Sequence, residues 1–364
     1  MIVLGIMNGT SVDGIDYVWS EITGSGKSIK LKFLHQEHKA FNTGLKEQIQ
    51  LAIGNNLPTH ELGLLHHDLG REYAKHYKEF KKVPRAKLIG LHGQTVFHKG
   101  KIASLQIGEP SYLAAACGVP VVFNFRAADV ASGGEGAPLA PLFHDNLLKK
   151  FSSSPVAFHN LGGISNLTYC HKNQIIAFDT GPASTLMDSW VSLKSKGLQG
   201  YDKDGKIAEK GLPHLPSLQK MLTAPYLQLK APKSCGREEF NLDFIKNMTD
   251  RKFSSLSLED QVNTLTEFTA VTILEAYEKF LPKMPEKIFF SGGGTHNPFL
   301  MKRLKIFFKT TEVLTSEDLG WPASAIEGGA FALLAYLRIN KVKCDLKSIT
   351  GGSKSALLGQ ICEL

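Results

Sequence analysis

The sequence predicts an α/β protein of two related lobes, each a mixed sheet with helices against it. Its 364 residues amount to about two domains at roughly 150 residues each. A strand–turn–strand unit at residues 2–22 returns at residues 155–178, and a repeated unit implies a duplicated fold. Elsewhere helical periodicity alternates with short apolar strands, the order expected when helices cover mixed sheets.

Residues 2–7 are an apolar run, 8–14 a polar turn bearing Gly9 and Gly14, and 15–22 a second apolar stretch, which together read as a β-hairpin. Residues 61–82 read as a helix, and 87–91 as a short strand ending in His92-Gly93-Gln94-Thr95. The second unit runs from a strand at 155–161 through a turn at 162–166 to a strand at 167–170. A third strand at 175–178 ends at Asp179. Helical periodicity at 265–281 precedes a strand at 287–290, the turn Gly292-Gly293-Gly294, a helix at 297–308 and a closing helix at about 325–339. The lobes are expected to divide near residue 125: residues 1–125 and about 340–364 form the first, and 126–339 the second.

Hydrophobic residues make up 43% and charged residues 21%, which excludes collagen-like, low-complexity and disordered classes. The five cysteines, at 117, 170, 235, 344 and 362, form no CxxC pair, so neither a disulfide framework nor a cysteine zinc site is expected. A reducing cytoplasm fits them. The N-terminal segment lacks a cationic region and turns polar after seven residues, unlike a secretory signal. No apolar run reaches the ~18 residues of a membrane span, so no membrane partner is expected. The NxT triplets at Asn8, Asn166 and Asn247 then read as chance sequons. The 13 histidines contain no HExxH pair and read as loop, surface and core residues. Forty-two basic against 34 acidic side chains leave a net charge of +8, which suits an anionic ligand or a solvated surface. The basic stretches at 81–85 and 301–309 carry no nucleic-acid motif, so no nucleic-acid partner is expected.

The turn Gly9-Thr10-Ser11-Val12-Asp13-Gly14 is either a polar hairpin tip or a phosphate loop, in which backbone N–H groups and hydroxyls converge on one anion. Asp13 and Asp16 would repel a phosphate unless a cation such as Mg²⁺ intervened, held directly or through water. The turns at 162–166 and 292–294 also follow apolar strands, a placement that suits loops facing one cleft. Other nucleotide motifs fail. Gly24-Ser25-Gly26-Lys27-Ser28 lacks the first glycine of a P-loop, because Glu21 stands there. There is no GxGxxG, and no protein-kinase catalytic loop or DFG. In Phe178-Asp179-Thr180-Gly181-Pro182 a carboxylate leaves an apolar strand. It is either an Asx-turn or a general base whose basicity desolvation raises. Arg126 follows another apolar strand and offers a planar fork of donors to an anion, or else bridges to Asp129.

Together these segments resemble the anhydro-N-acetylmuramic acid kinase family, within the sugar kinase, Hsp70 and actin superfamily. The resemblance runs almost end to end, through Gly9 to Asp16, Leu91 to His98, Gln106-Ile107-Gly108-Glu109-Pro110, Phe125-Arg126 to Asp129, Gly136-Ala137-Pro138-Leu139, Asn160 to Asn166, Phe178 to Pro182, Pro232-Lys233-Ser234, Gly236-Arg237-Glu238, Gly292 to Gly294 and Glu327 to Ala330. Each motif is weak alone. Their order and spacing make the likeness specific.

The resemblance implies two ribonuclease-H-like lobes of the actin-like ATPase fold, a homodimer, ATP with Mg²⁺, and an amino-sugar substrate, 1,6-anhydro-N-acetylmuramic acid. It implies hydrolytic opening of the anhydro bridge with phosphorylation at O6, in peptidoglycan recycling. On that pattern Asp179 is the general base, Glu327 orients the water or the sugar, and Arg126 stabilises charge near O6 or holds the substrate. Gln94, Thr95, Asp129, Glu135, Gly136 and Pro138 line the sugar pocket. Gly9, Thr10, Ser11, Val12, Asp13, Gly14, Ile15 and Asp16 take the phosphates and Mg²⁺, Gly162 and Gly163 join the ATP site, and Gly292, Gly293 and Gly294 lie near adenosine. The chain departs from the pattern at Asn8 (usually Ser), Asn124 (Asp), Glu135 (Gln), Ala183-Ser184 (Gly-Asn) and Cys235 (Thr). Alternative readings are a kinase of this fold for another sugar, and a nucleotide-dependent interaction protein that hydrolyses ATP without a sugar.

Overall fold

The all-apolar run at the N-terminus becomes β1 (Ile2–Met7), buried except at its first residue. In the computed structural model, which describes all residues but Thr10, Asn173, Pro232 and Arg237 and only the backbone of Lys27, β1 lies inside a six-stranded sheet. β2 (Gly14–Thr23) returns antiparallel to it with Met7 opposite Asp16. β3 (Lys30–Ala40) completes the meander. On the other side β4 (Leu88–Leu91) runs parallel to β1. The chain then makes a separate hairpin from β5 (Gln94–Lys99) and β6 (Ala103–Ile107) before β7 (Val121–Phe123) joins β4 in parallel. The C-terminal strand Gln360–Cys362 closes that edge antiparallel to β7. The helix at 61–82 is Thr59–Glu79. It stops before Lys82, whose φ of 63° is left-handed, and before Pro84, which cannot supply a helical N–H.

The second sheet repeats the first. β8 (Val156–Leu161), β9 (Ile164–His171) and β10 (Gln174–Pro182) form an antiparallel meander. β11 (Lys287–Ser291) lies parallel to β8, and β12 (Glu312–Thr315) parallel to β11. The spatial order β10-β9-β8-β11-β12 matches β3-β2-β1-β4-β7 strand for strand and sense for sense. This is the ribonuclease-H-like order, and it occurs twice. The second core gathers on the helix Leu258–Phe280, whose buried face includes Phe268, with Trp190 and Phe253 in the same cluster.

The boundaries move from the expected ones. One unit comprises residues 1–147 and 320–364, the other 148–319. The closing helix, expected in the second lobe, is Ile326–Ile339 and packs on β1, β2 and β4 of the first. Two glycines make this possible. A Cβ on Gly5 would overlap the Gly328 carbonyl, and one on Gly90 the Phe331 carbonyl, so helix backbone lies directly on strand backbone. Gly5→Ala is therefore expected to destabilise the protein by about 1–3 kcal/mol through overpacking. Gly63→Ala, on an open helix surface with nothing near the added methyl, should leave stability equal or higher. Thermal midpoints of the two variants check the contrast. No helix among the described residues is long and apolar enough to cross a membrane.

Candidate functional site

In the first unit, loop 8–13 joins β1 to β2, with Val12 at its tip in a left-handed conformation (φ 53°). That conformation is strained for a β-branched residue. Burial of the Val12 side chain in the core holds it there. Ser11 Oγ donates to Asp13 Oδ1 at 2.8 Å, and Val12 N–H to Gly9 O at 3.3 Å. Asp13 is exposed and Asp16 half-buried. Burial raises the Asp16 pKa, Asp13 adds to the rise, and His38, 2.8 Å from its Oδ1, opposes it. Gly14 and Ile15 open β2; Ile15 is a core side chain, so it offers the loop only backbone. Thr10 lies outside the described residues. Gln94 Nε2 donates to Gly9 O at 3.4 Å, tying the His92–Thr95 segment to this loop.

Buried Asn8 accepts the Tyr73 hydroxyl proton on Oδ1 at 3.0 Å, while its Nδ2 has no protein partner. The amide thus keeps a free donor where a serine would carry a hydroxyl. Asn124 adopts φ 52°, which Asn and Asp tolerate better than most side chains. It turns the chain just ahead of Arg126. Arg126 Nη2 donates to His92 Nε2 at 2.9 Å. Burial and Arg126 hold the His92 pKa down at about 3, so the ring is a neutral acceptor. Burial lowers the Arg126 pKa to about 10 against the opposing pull of Glu327, which leaves a cation at neutral pH. Glu327, in the first turn of helix Ile326–Ile339, has a solvent-accessible side chain hemmed in by protein. That crowding raises its pKa, with Asp16 and Asp13 adding and Arg126 opposing. The first unit therefore brings Asp13, Asp16, Arg126 and Glu327 into one electrostatic neighbourhood.

Asp129 has a different place from the one expected. Its buried Oδ2 accepts Gly136 N–H at 2.7 Å and its Oδ1 the Thr350 hydroxyl proton at 2.7 Å. It bridges to neither Arg126 nor open space, and instead pins loop 133–138, with Gly136 in a left-handed conformation and Pro138 exposed. Glu135 pairs with Lys101 at 3.2 Å, at the turn between β5 and β6, which neutralises the added charge. Thr95 Oγ1 accepts from Gln106 Nε2 at 3.2 Å.

In the second unit, β10 does not end at Asp179. Asp179 pairs with Asn166 and Gly181 with Ser165, so Thr180 is an extra residue, a β-bulge inside the strand. Asp179 Oδ2 accepts Cys235 N–H at 3.0 Å, its own N–H donates to Lys233 O at 3.1 Å, and the Tyr226 hydroxyl donates to its carbonyl at 2.7 Å. Burial raises the carboxyl pKa to about 6, the Cys235 N–H opposing, Glu239 adding and Lys233 opposing. Its carboxylate accepts from a residue 56 positions away and is not the acceptor of an Asx-turn, and a pKa near 6 suits it to take up a proton close to neutrality. Cys235 acts here through its backbone, so its replacement of Thr leaves the bond intact. Lys233 stacks its ammonium on Phe280 and Tyr226 at 4.4 and 4.8 Å, and burial lowers its pKa to about 8.

Gly162 and Gly163 form the tight β8–β9 turn, and their carbonyls accept Ser184, Ala183 and Thr185 N–H groups. Here too a departure, Ala183-Ser184, works through backbone. Gly293 and Gly294 line a cavity of about 340 Å³ with Met187, Asp188, Tyr201, His296 and Leu300. Apolar walls with a few polar groups at this volume suit a small organic ligand. Asn160 lies between the two glycine turns, since a Cβ on either Gly162 or Gly292 would meet its side chain. Asn160 and Lys233 stand inside recognisable motifs and Tyr226 in none. Their signal lay in spacing across the fold, which a linear reading does not contain.

A doubled ribonuclease-H-like sheet places the chain among proteins of the actin-like ATPase fold. Within that class, a family model described as anhydro-N-acetylmuramic acid kinase matches residues 1–363, and the chain belongs to that family. It is 38% identical over 376 residues to a protein of that name from Picosynechococcus sp., with 99% of each chain covered. A namesake from Francisella tularensis subsp. novicida is 39% identical over 382 residues, covering 98% of this chain and 97% of its own. Another from Pasteurella multocida is 35% identical over 371 residues, covering 99% and 96%.

Proposed function

We propose that this kinase transfers the γ-phosphoryl group of ATP to O6 of 1,6-anhydro-N-acetylmuramic acid as water opens the anhydro bridge, giving N-acetylmuramic acid 6-phosphate for peptidoglycan recycling. The observation that carries the reading is the half-buried Asp179 carboxyl, held by the Cys235 N–H, with a pKa pushed up to about 6. Asp179 takes a proton from the water whose oxygen bonds the anomeric carbon. The bond from that carbon to O6 breaks, and O6 bonds the γ-phosphorus while ADP leaves. A base positioned in this way contributes about 10²- to 10⁴-fold in rate. Arg126, held against neutral His92, faces the charge that grows on O6. Glu327, with its raised pKa, is suited to hold the sugar or the water in place.

Asn8 Nδ2 and the backbone of Gly9 and residues 11–14 supply donors for phosphate oxygens. Among the described residues no group of three or more His, Cys, Asp or Glu side chains would hold a metal alone. Asp13 and Asp16 nevertheless fit Mg²⁺ as two hard oxygen donors that share the ion with phosphate and water. When bound, Mg²⁺ supplies charge neutralisation at the phosphates. Gly293, Gly294, Met187 and Leu300 offer apolar walls for a nucleoside. Because Lys101 neutralises Glu135, the pocket remains suited to an acidic sugar. The five cysteines, with no CxxC pair among them, suit a reducing cytoplasm, and a homodimer is the assembly expected from the family resemblance.

Purified protein with ATP, Mg²⁺ and the anhydro sugar should yield the 6-phosphate by mass spectrometry; an absence of turnover overturns the reading. The pH profile supplies a second check. The base acts only when ionised, so kcat/KM should fall tenfold per unit below about pH 6. A profile flat down to pH 4.5 argues against Asp179.

A further inference from the structure

Four polar side chains are buried on the face of the second sheet opposite Asp179. Thr180 Oγ1 lies 2.8 Å from Ser165 Oγ and 3.2 Å from Ser165 O; Ser165 Oγ lies 2.6 Å from His159 Nε2; His159 Nδ1 lies 2.9 Å from the Tyr277 hydroxyl. None of the four exceeds 1% exposure. The His159 ring stacks on Tyr277 from helix Leu258–Phe280 and tilts against Phe290 of β11. Burial holds its pKa down at about 3, so it is neutral, with one nitrogen donating and the other accepting. The chain can then run in either direction with each link satisfied: Thr180 to Ser165 to His159 to Tyr277, or the reverse with Thr180 turned to the Ser165 carbonyl.

Its position is the informative part. Thr180 is the inserted residue of the bulge, and the strand regains register only at Gly181. Asp179 therefore owes its direction to where Thr180 is held, because a bulge re-aims the side chain beside it. On the other face Asn160, Asn166 and Asp179 form a row across β8, β9 and β10. Valine and phenylalanine would fill the opposite face at less desolvation cost than threonine, serine and histidine. A fully satisfied polar chain instead specifies one register.

We propose that Thr180, Ser165, His159 and Tyr277 are positioning residues, a buried hydrogen-bond chain that pins the bulge and so aims the Asp179 carboxylate at its water. The proposal rests on Asp179 being the base. Thr180→Val keeps the shape of the side chain and removes the hydroxyl. It should lower kcat by about 10- to 100-fold, the cost of a displacement of roughly 1 Å in a reacting group, with both KM values within about threefold of the native protein. The freed carboxylate becomes better solvated, so the acid limb of the pH profile should move about one unit lower. Thr180→Ser restores the hydroxyl and should recover kcat and the acid limb. His159→Phe, which keeps the stacked ring and breaks the middle link, should repeat the Thr180→Val result at an unchanged or modestly lower thermal midpoint. Native kcat and pH profile in Thr180→Val, or an equal loss in Thr180→Ser, overturns the proposal. Asp179→Asn separates the two ideas: full activity there removes the base, whereas an inactive Asp179→Asn beside an unaffected Thr180→Val removes only the pin.

Discussion

Asp179→Asn is expected to lower kcat by about 10²- to 10⁴-fold while sugar and ATP still bind, because it removes a proton acceptor and little else. Asparagine keeps the size of the side chain and can still accept the Cys235 N–H on its oxygen. The stability consequence has the opposite sign. A carboxyl whose pKa rises from 3.8 unfolded to about 6 folded binds more protons in the native state. Folded stability therefore declines as pH climbs from about 4 to about 6, and the whole penalty is present above that. Asn carries no charge, so the variant should melt at the same temperature or higher at pH 7. Initial rates with isothermal titration of ATP and sugar, beside thermal midpoints, test both halves. A kcat within threefold of native removes Asp179 from the chemistry, and a collapsed midpoint would make lost activity a folding effect.

Arg126→Ala should lower kcat by about 10²- to 10³-fold, the usual loss when one fixed donor to a developing negative charge is removed. Arg126→Lys keeps the charge but not the planar fork, so it should fall between Ala and native. Because Arg126 donates to buried His92, the alanine variant also leaves an acceptor unpaired, at about 1–3 kcal/mol. Added guanidinium separates the two effects: it should restore rate to Arg126→Ala and not to Asp179→Asn. An alanine variant with native kcat ends the assignment.

The strands were legible because their apolar runs are short, continuous and bounded by glycine turns, and because the same run recurs. β1 and β8 needed no partner to be recognised. The closing helix was legible as a helix, but not its allegiance. Its apolar face would suit either sheet, and the bare strand backbones at Gly5 and Gly90 settle the matter. Asp129 looked like a ligand or a partner of Arg126, since proximity along the chain was all there was to read. Its real partner, Thr350, stands 221 residues away. Asp179 stands out by its residue type beside a strand and a Gly-Pro pair, yet the linear pattern stops the strand short of Pro182, because a bulge exists only relative to the neighbouring strand.

Residue types and their order along the chain were enough to establish a duplicated α/β architecture, the family, and the short segments where the chemistry resides. Register, burial and long-range pairing assigned the work within those segments. They neutralised Glu135 with Lys101, made Asp129 a pin, gave Arg126 a neutral partner and raised the Asp179 carboxyl toward neutral pH. The division has a physical cause. Backbone propensity and apolar periodicity are local and can be read from neighbours, whereas a carboxyl's basicity depends on what surrounds it in space, and Asn166, Tyr226, Lys233, Cys235 and Glu239, distant along the chain, surround this one.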